Sequence, residues 1–151
     1  EVTGILFAVG ILLDVLFIAL LAWCSISDLK KREIPNAAIL LLLGLGAAHL
    51  AISVCLGSPW QEYLLGMLLA IPLFIAWGKG LFGGGDVKLV FAMGLYLGVS
   101  LALISLAFTL LVCAGLLIWR VVCRRGVHIR IPLAPALTLG AAVAITIHYL
   151  S

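Results

Sequence analysis

The chain has 151 residues, of which 66% are apolar and 10% charged, and its mean hydropathy is +1.36. Soluble domains carry about 25% charged and about 45–50% apolar residues, so a water-soluble globule is excluded. Disorder is excluded too, because it needs low hydrophobicity and high charge. At roughly 20 apolar residues per bilayer-spanning helix, there is room for about six spans. The composition therefore predicts an all-α, polytopic membrane bundle, with residues 1–151 forming one embedded domain.

The first apolar run covers residues 5–26. It is longer than a signal-peptide core and lacks both a basic start and a small-residue cleavage site, so it reads as a span. The polar stretch 27–35 follows, and Asn36 is the expected cap of a second helix over 37–56. Gly57-Ser58-Pro59 reads as a turn. The third helix covers 60–77, with Trp60 and Trp77 as interface anchors and a kink expected at Pro72. Residues 78–85 hold five glycines. Residues 86–123 fit either one very long helix or two shorter ones, and a last helix covers 132–150, with Pro132 in its first turn.

Charge resolves that ambiguity. The nine Lys and Arg residues fall in three clusters, at 30–32, 79–88 and 120–130. Cytoplasmic loops concentrate such residues, so all three clusters are expected inside. The chain must then cross an even number of times between Lys88 and Arg120, which requires two helices meeting near Gly98-Val99-Ser100, the first of them short (87–97). Six spans result, with both termini outside. The net charge of +3 needs no nucleic acid, because the basic residues flank spans, where they set topology.

Several chemistries are absent from the sequence. The four cysteines, Cys24, Cys55, Cys113 and Cys123, form no CxxC pair, and they read as buried, apolar-like thiols. There is no His-Glu-x-x-His and no Gly-x-Ser-x-Gly. Neither a metal nor a cofactor is expected.

The six acidic residues are more informative, since a charge at the centre of a membrane helix costs about 2.5–3.5 kcal/mol or more. Asp28 ends the first span and Asp86 begins the fourth, so the topology puts both at one depth on the inner side. Spacing alone leaves two readings open. The carboxylates share one proton and activate water, or they merely cap helix ends. Gly83, Gly84 and Gly85 lead into Asp86, with Lys88 two residues on. Glycines there permit backbone conformations closed to other residues and close approach of a second chain, so an extended peptide can pair with that backbone. Lys88 either holds a carboxylate or snorkels to the headgroups. Asp14 lies mid-span, either hydrogen-bonded within the bundle or lining a polar cavity. His49 and His148 fall in the outer halves of their spans, and His128 in a basic inner loop.

Three segments taken together carry a family likeness. They are Ser27-Asp28-Leu29-Lys30-Lys31-Arg32-Glu33-Ile34-Pro35-Asn36, Gly83-x-Gly85-Asp86-x-Lys88, and Ile131-Pro132-Leu133-Ala134-Pro135-Ala136 before a last span that contains glycine. The chain resembles the type IV prepilin peptidases, membrane aspartyl proteases of the Gly-x-Gly-Asp kind, and most of all their short Tad-type members. The resemblance implies that Asp28 and Asp86 are the catalytic pair. It also implies that basic leaders are cut from prepilin-like precursors at the cytoplasmic face of the inner (plasma) membrane. Glu33 then either attracts the basic leader or pairs locally with Lys30. Longer members add an N-terminal portion with paired cysteines and also N-methylate the new amino terminus. With no CxxC here, the resemblance implies the peptidase activity. Two alternatives stand beside it. One is a presenilin-like intramembrane protease, which the basic loop after Asp28 and the Ser27 before it disfavour. The other is a small transporter or assembly factor with Asp14, Asp28 and Asp86 as an ion path.

Overall fold

The computed structural model describes residues 2–31, 33–80, 83–123 and 133–150. These residues are helical apart from short connections. The helices are α1 (Val2–Lys31), α2 (Asn36–Cys55), α3 (Trp60–Leu68), α4 (Ala70–Gly78), α5 (Gly84–Val122) and α6 (Leu133–Leu150). By length and apolar composition five units among the described residues can cross a membrane, with α3 and α4 together forming one of them, Trp60–Gly78.

Each break has a local cause. Pro72 has no N–H to give the Leu68 carbonyl, and its ring clashes with that carbonyl. The helix stops at Leu68 and restarts at Ala70, leaving Pro72 within the first turn of α4. Inside α5, Gly98 stands at φ 74° and ψ 172°, a conformation that side-chain-bearing residues avoid. It divides α5 into two arms, 84–97 and 99–122. The two helices expected from charge parity are these arms, and counting them separately gives the expected six. The first arm rises only about 21 Å at 1.5 Å per residue, less than a hydrocarbon core of about 30 Å.

Two boundaries differ from expectation. α1 does not end at residue 26 but continues through Asp28 to Lys31. Lys30 and Lys31 sit in its last turn, where cations complement the helix dipole. Asn36 is not the cap of α2. Pro35 holds that position and makes no side-chain cap bond, and Asn36 is the first helical residue. The basic loop after Cys123, including His128, lies outside the described residues, as do Arg32, Leu81, Phe82 and Pro132.

α5 is the hub, packing against α2, α3, α4 and α6, while α1 packs against α2 and α6. In lipid, helices associate through close packing and polar contacts rather than hydrophobic burial, and the crossings here follow that rule. Gly66 of α3 and Gly94 of α5 meet so closely that a Cβ on either would strike the carbonyl oxygen of the other. Gly140 of α6 meets α5 in the same way: a Cβ there would strike the Ser105 carbonyl and come 2.8 Å from Thr109 Oγ1. Thr109 donates to the Ser105 carbonyl at 2.7 Å and faces the Ala136 carbonyl at 3.2 Å. Between α1 and α6 the hydroxyls of Ser25 and Thr138 lie 2.6 Å apart.

Among the described residues, α1 and α5 make no backbone contact. Large side chains fill the seam between them: Phe17 and Leu21 from one side, and Leu89, Met93 and Tyr96 from the other, all fully buried. Phe17 stacks on Tyr96 with ring centres 3.9 Å apart, and His49 lies against Tyr96 at 4.4 Å. Apolar side chains such as Leu110, Leu111 and Trp119 point outward, as a lipid-facing surface requires. Of the cysteines, Cys24 alone is fully buried. Cys113 is half-buried, and Cys55 and Cys123 are exposed, because an outward thiol is tolerated where the surroundings are lipid.

The Gly66–Gly94 crossing gives a direct test. Replacement Gly94→Leu should destabilise the detergent-solubilised protein by about 1–3 kcal/mol or more, since the backbones must separate. Gly115→Leu, which meets open space, should leave the thermal unfolding midpoint unchanged. Equal midpoints for the two variants would refute the close crossing.

Candidate active site

Two loops at one end of the bundle build the site. At the end of α1, Ser27 Oγ donates to the Glu33 carbonyl at 2.9 Å, turning the chain back toward the helix it has just left. Pro35, at φ −66° and ψ 129°, then starts α2, and its carbonyl accepts from the Ala38 and Ile39 amides. The second loop turns at Gly80 (φ 74°) and reaches Gly83, which starts α5. Asp86 falls in the first turn of α5.

The glycines before Asp86 serve close approach. None of Gly83, Gly84 and Gly85 has a positive φ, so the conformational freedom expected of them is not what the structure uses. A Cβ on Gly84 would stand 3.1 Å from Trp77 Nε1, one on Gly85 would stand 3.3 Å from the Ile34 side chain, and one on Gly83 would stand 3.3 Å from Asp86 Oδ2. The loop is pressed between α4 and the Ile34-Pro35-Asn36 turn. A second link joins the same two loops. Lys88 Nζ donates to Asn36 Oδ1 at 3.3 Å, so Asn36 receives a charged donor from another helix instead of capping its own.

The structure brings together every residue that the sequence marked for the site. Asp28, Gly83, Gly84, Gly85, Asp86 and Lys88 line one cavity of about 340 Å³, joined by Glu33, Ile34 and Asn36. Asp28 and Asp86 are close enough for their charges to interact. Asp28 Oδ2 is buried and accepts no hydrogen bond from the described residues. A buried carboxylate oxygen without a donor is costly unless water or a substrate group comes to it. Two carboxylates across a small polar cavity can hold one water and one carbonyl between them, with a proton to pass in each direction.

Asp14 stands apart from this cleft. Its Oδ1 accepts from Tyr96 Oη at 2.7 Å and its Oδ2 from Tyr149 Oη at 2.5 Å. It also lines a separate cavity of about 570 Å³, together with His49 and His148, so both readings of Asp14 hold at once. The sequence did not single out Tyr96 or Tyr149, and it read Trp77 as an interface anchor and Ile34 only as part of the segment before Asn36.

Residues 15–118 match the model of the type IV leader peptidase family. The chain is similar to the prepilin leader peptidase/N-methyltransferase of Bacillus subtilis (strain 168), with 32% identity over 151 aligned residues covering 93% of this chain. It spans 58% of that relative's length. No solved structure matches.

The contact between the loops can be tested without assaying any reaction. Gly85→Val should destabilise the protein by about 1–3 kcal/mol through collision with Ile34. Adding Ile34→Ala should restore at least half of that loss, a coupling within the usual range of about 0.5–3 kcal/mol for touching residues. Additive losses in the double variant would show that Ile34 is not what the new side chain meets.

Proposed function

The chain belongs to the type IV leader peptidase family, and on that footing we propose that it is a membrane aspartyl endopeptidase acting on prepilin-like precursors. It removes a basic leader at the cytoplasmic face of the inner membrane. The observation that carries this reading is the polar cavity lined by both Asp28 and Asp86, with Asp28 Oδ2 buried and accepting from no donor among the described residues.

The chemistry follows from two carboxyl groups sharing one proton. The ionised member takes a proton from water as the water oxygen bonds to the scissile carbonyl carbon. The protonated member gives its proton to the carbonyl oxygen, producing a tetrahedral diol. As the diol collapses, the carboxyl that took up the water proton delivers it to the departing nitrogen and the C–N bond breaks. The second carboxyl recovers a proton from the diol hydroxyl, so the pair again holds one proton. Gly83, Gly84 and Gly85 line the cavity, where an extended substrate strand can pair with their backbone. Glu33, exposed at the rim, adds a salt-screened attraction for Lys or Arg in the leader.

The rival readings find less support. An ion path through Asp14 would need a carboxylate free to exchange its partner, and Asp14 is held by two phenols. A presenilin-like site would sit within a span, whereas this cleft lies where two spans end in polar loops.

Purified protein should cleave a prepilin-like precursor. Asp28→Asn and Asp86→Asn should each lower the rate on the order of 10³-fold or more, since catalytic groups acting as a unit fail together, with folding and membrane insertion retained. Near-normal cleavage by either variant would overturn the assignment. The substrate provides a second test. The family resemblance implies a Gly before the scissile bond, and the tight glycine-lined site leaves little room for more. Replacing that Gly by Leu should slow cleavage far more than changing a leader Lys to Gln, which removes only a screened attraction. Equal cleavage of the Leu substrate would favour presenilin-like cutting.

A further inference from the structure

The polar cleft continues past Lys88. On the far side of the Lys88–Asn36 hydrogen bond, a groove of about 700 Å³ opens between α2, the α3–α4 span and the first arm of α5. Its walls are apolar and include Leu40, Leu43, Ile71, Phe74 and Phe91. Among the described residues, Asn36 and Lys88 are its only polar lining, and both also line the catalytic cleft. The wall residues recur at helical spacing. Residues 36, 39, 40 and 43 share one face of α2, and 67, 68, 71 and 74 follow the opposite wall. From Asn36 to Leu43 the groove runs about 10 Å along α2 at 1.5 Å per residue, or two turns.

The two compartments differ sharply in polarity. On the cleft side stand Asp28, Glu33 and Asp86. On the groove side, every described lining residue beyond Asn36 and Lys88 is apolar. A chain threaded through both would need a cationic, extended part followed directly by an apolar helix. A lipid tail could fill the groove but would have no use for its opening into an acidic cleft.

We propose that this groove holds the first two turns of the apolar segment that follows the scissile bond of the precursor, docked as a helix between α2 and α4. Lys88 and Asn36 mark the point where the extended leader passes into that helix. This inference rests on the peptidase reading above and adds to it where the membrane-embedded half of the substrate binds. It also assigns a specificity role to Leu40, Leu43 and Phe74, which do not line the cleft of the aspartates.

The test uses the full-length protein in bilayer discs with a prepilin-like precursor. A photo-crosslinking amino acid is placed at Leu40 or Phe74, and as a control at Leu111, which is 70% exposed on the second arm of α5. Crosslinks from Leu40 and Phe74 should map to the first seven apolar residues of the precursor, with none from Leu111. In parallel, Leu43→Trp should raise KM for the precursor tenfold or more while kcat and thermal stability stay near wild type. If the wild type cleaves the precursor but crosslinks form only to lipid, or equally from Leu111, the groove is not the docking site and the peptidase reading survives. An unchanged KM for Leu43→Trp would likewise exclude the groove and leave the peptidase reading standing. If the wild type cleaves no precursor, the peptidase reading fails and the docking site fails with it.

Discussion

The two loops at the polar end of this protein meet at a contact that Gly85 allows by having no side chain. Ile34 rests against this glycine, at a distance where even a methyl group would force a shift. That contact brings the turn after α1 onto the start of α5. With the Lys88–Asn36 hydrogen bond, it joins two loops whose helices, α1 and α5, share no backbone contact among the described residues. The aspartates cannot hold the loops together when both are charged, since two carboxylates then repel. The architecture therefore has to press them into one cleft with contacts made elsewhere.

A second fastening lies toward the other end of the same seam. Asp14 on α1 receives the Tyr96 hydroxyl from α5 and the Tyr149 hydroxyl from α6, and the Tyr96 ring is gripped between Phe17 and His49. Tyr96 lies just before the Gly98 break, so the first arm of α5 is held near both its ends. It is also flattened against α3 at Gly94. An arm fixed at three places cannot rotate freely, and the direction in which Asp86 points is set by that fixation. The cost of burying a carboxylate among apolar helices is offset here by two charge-assisted hydrogen bonds.

Much of this was legible in the sequence. The apolar runs gave the spans, the positions of Lys and Arg gave the division of 86–123, and the break duly falls at Gly98. Asp28 and Asp86 could be paired from topology alone, because one ends a span and the other begins one on the same side. What the sequence hid was contact between distant positions. Nothing local tells that Asn36 accepts a hydrogen bond from Lys88, 52 residues on, so it reads as a cap. Nor does anything local tell that the partners of Asp14 are tyrosines 82 and 135 residues away. The glycines before Asp86 were marked correctly for another reason, since their use depends on Trp77 and Ile34 arriving from other elements. Local pattern reports the element, and packing decides what each side chain there does.

The central claim is that Asp28 and Asp86 face one another across one cleft and act as a unit. The most direct measurement replaces both with cysteine in a chain whose four native cysteines have been removed, then treats folded protein in bilayers with a short reagent that bridges two thiols. A matched chain carries the replacements at Asp14 and Asp86 instead. Rapid bridging of the 28–86 pair is expected, slowed by bound precursor, with none of the 14–86 pair. Bridging of 28–86 no faster than that of 14–86 would contradict the shared cleft.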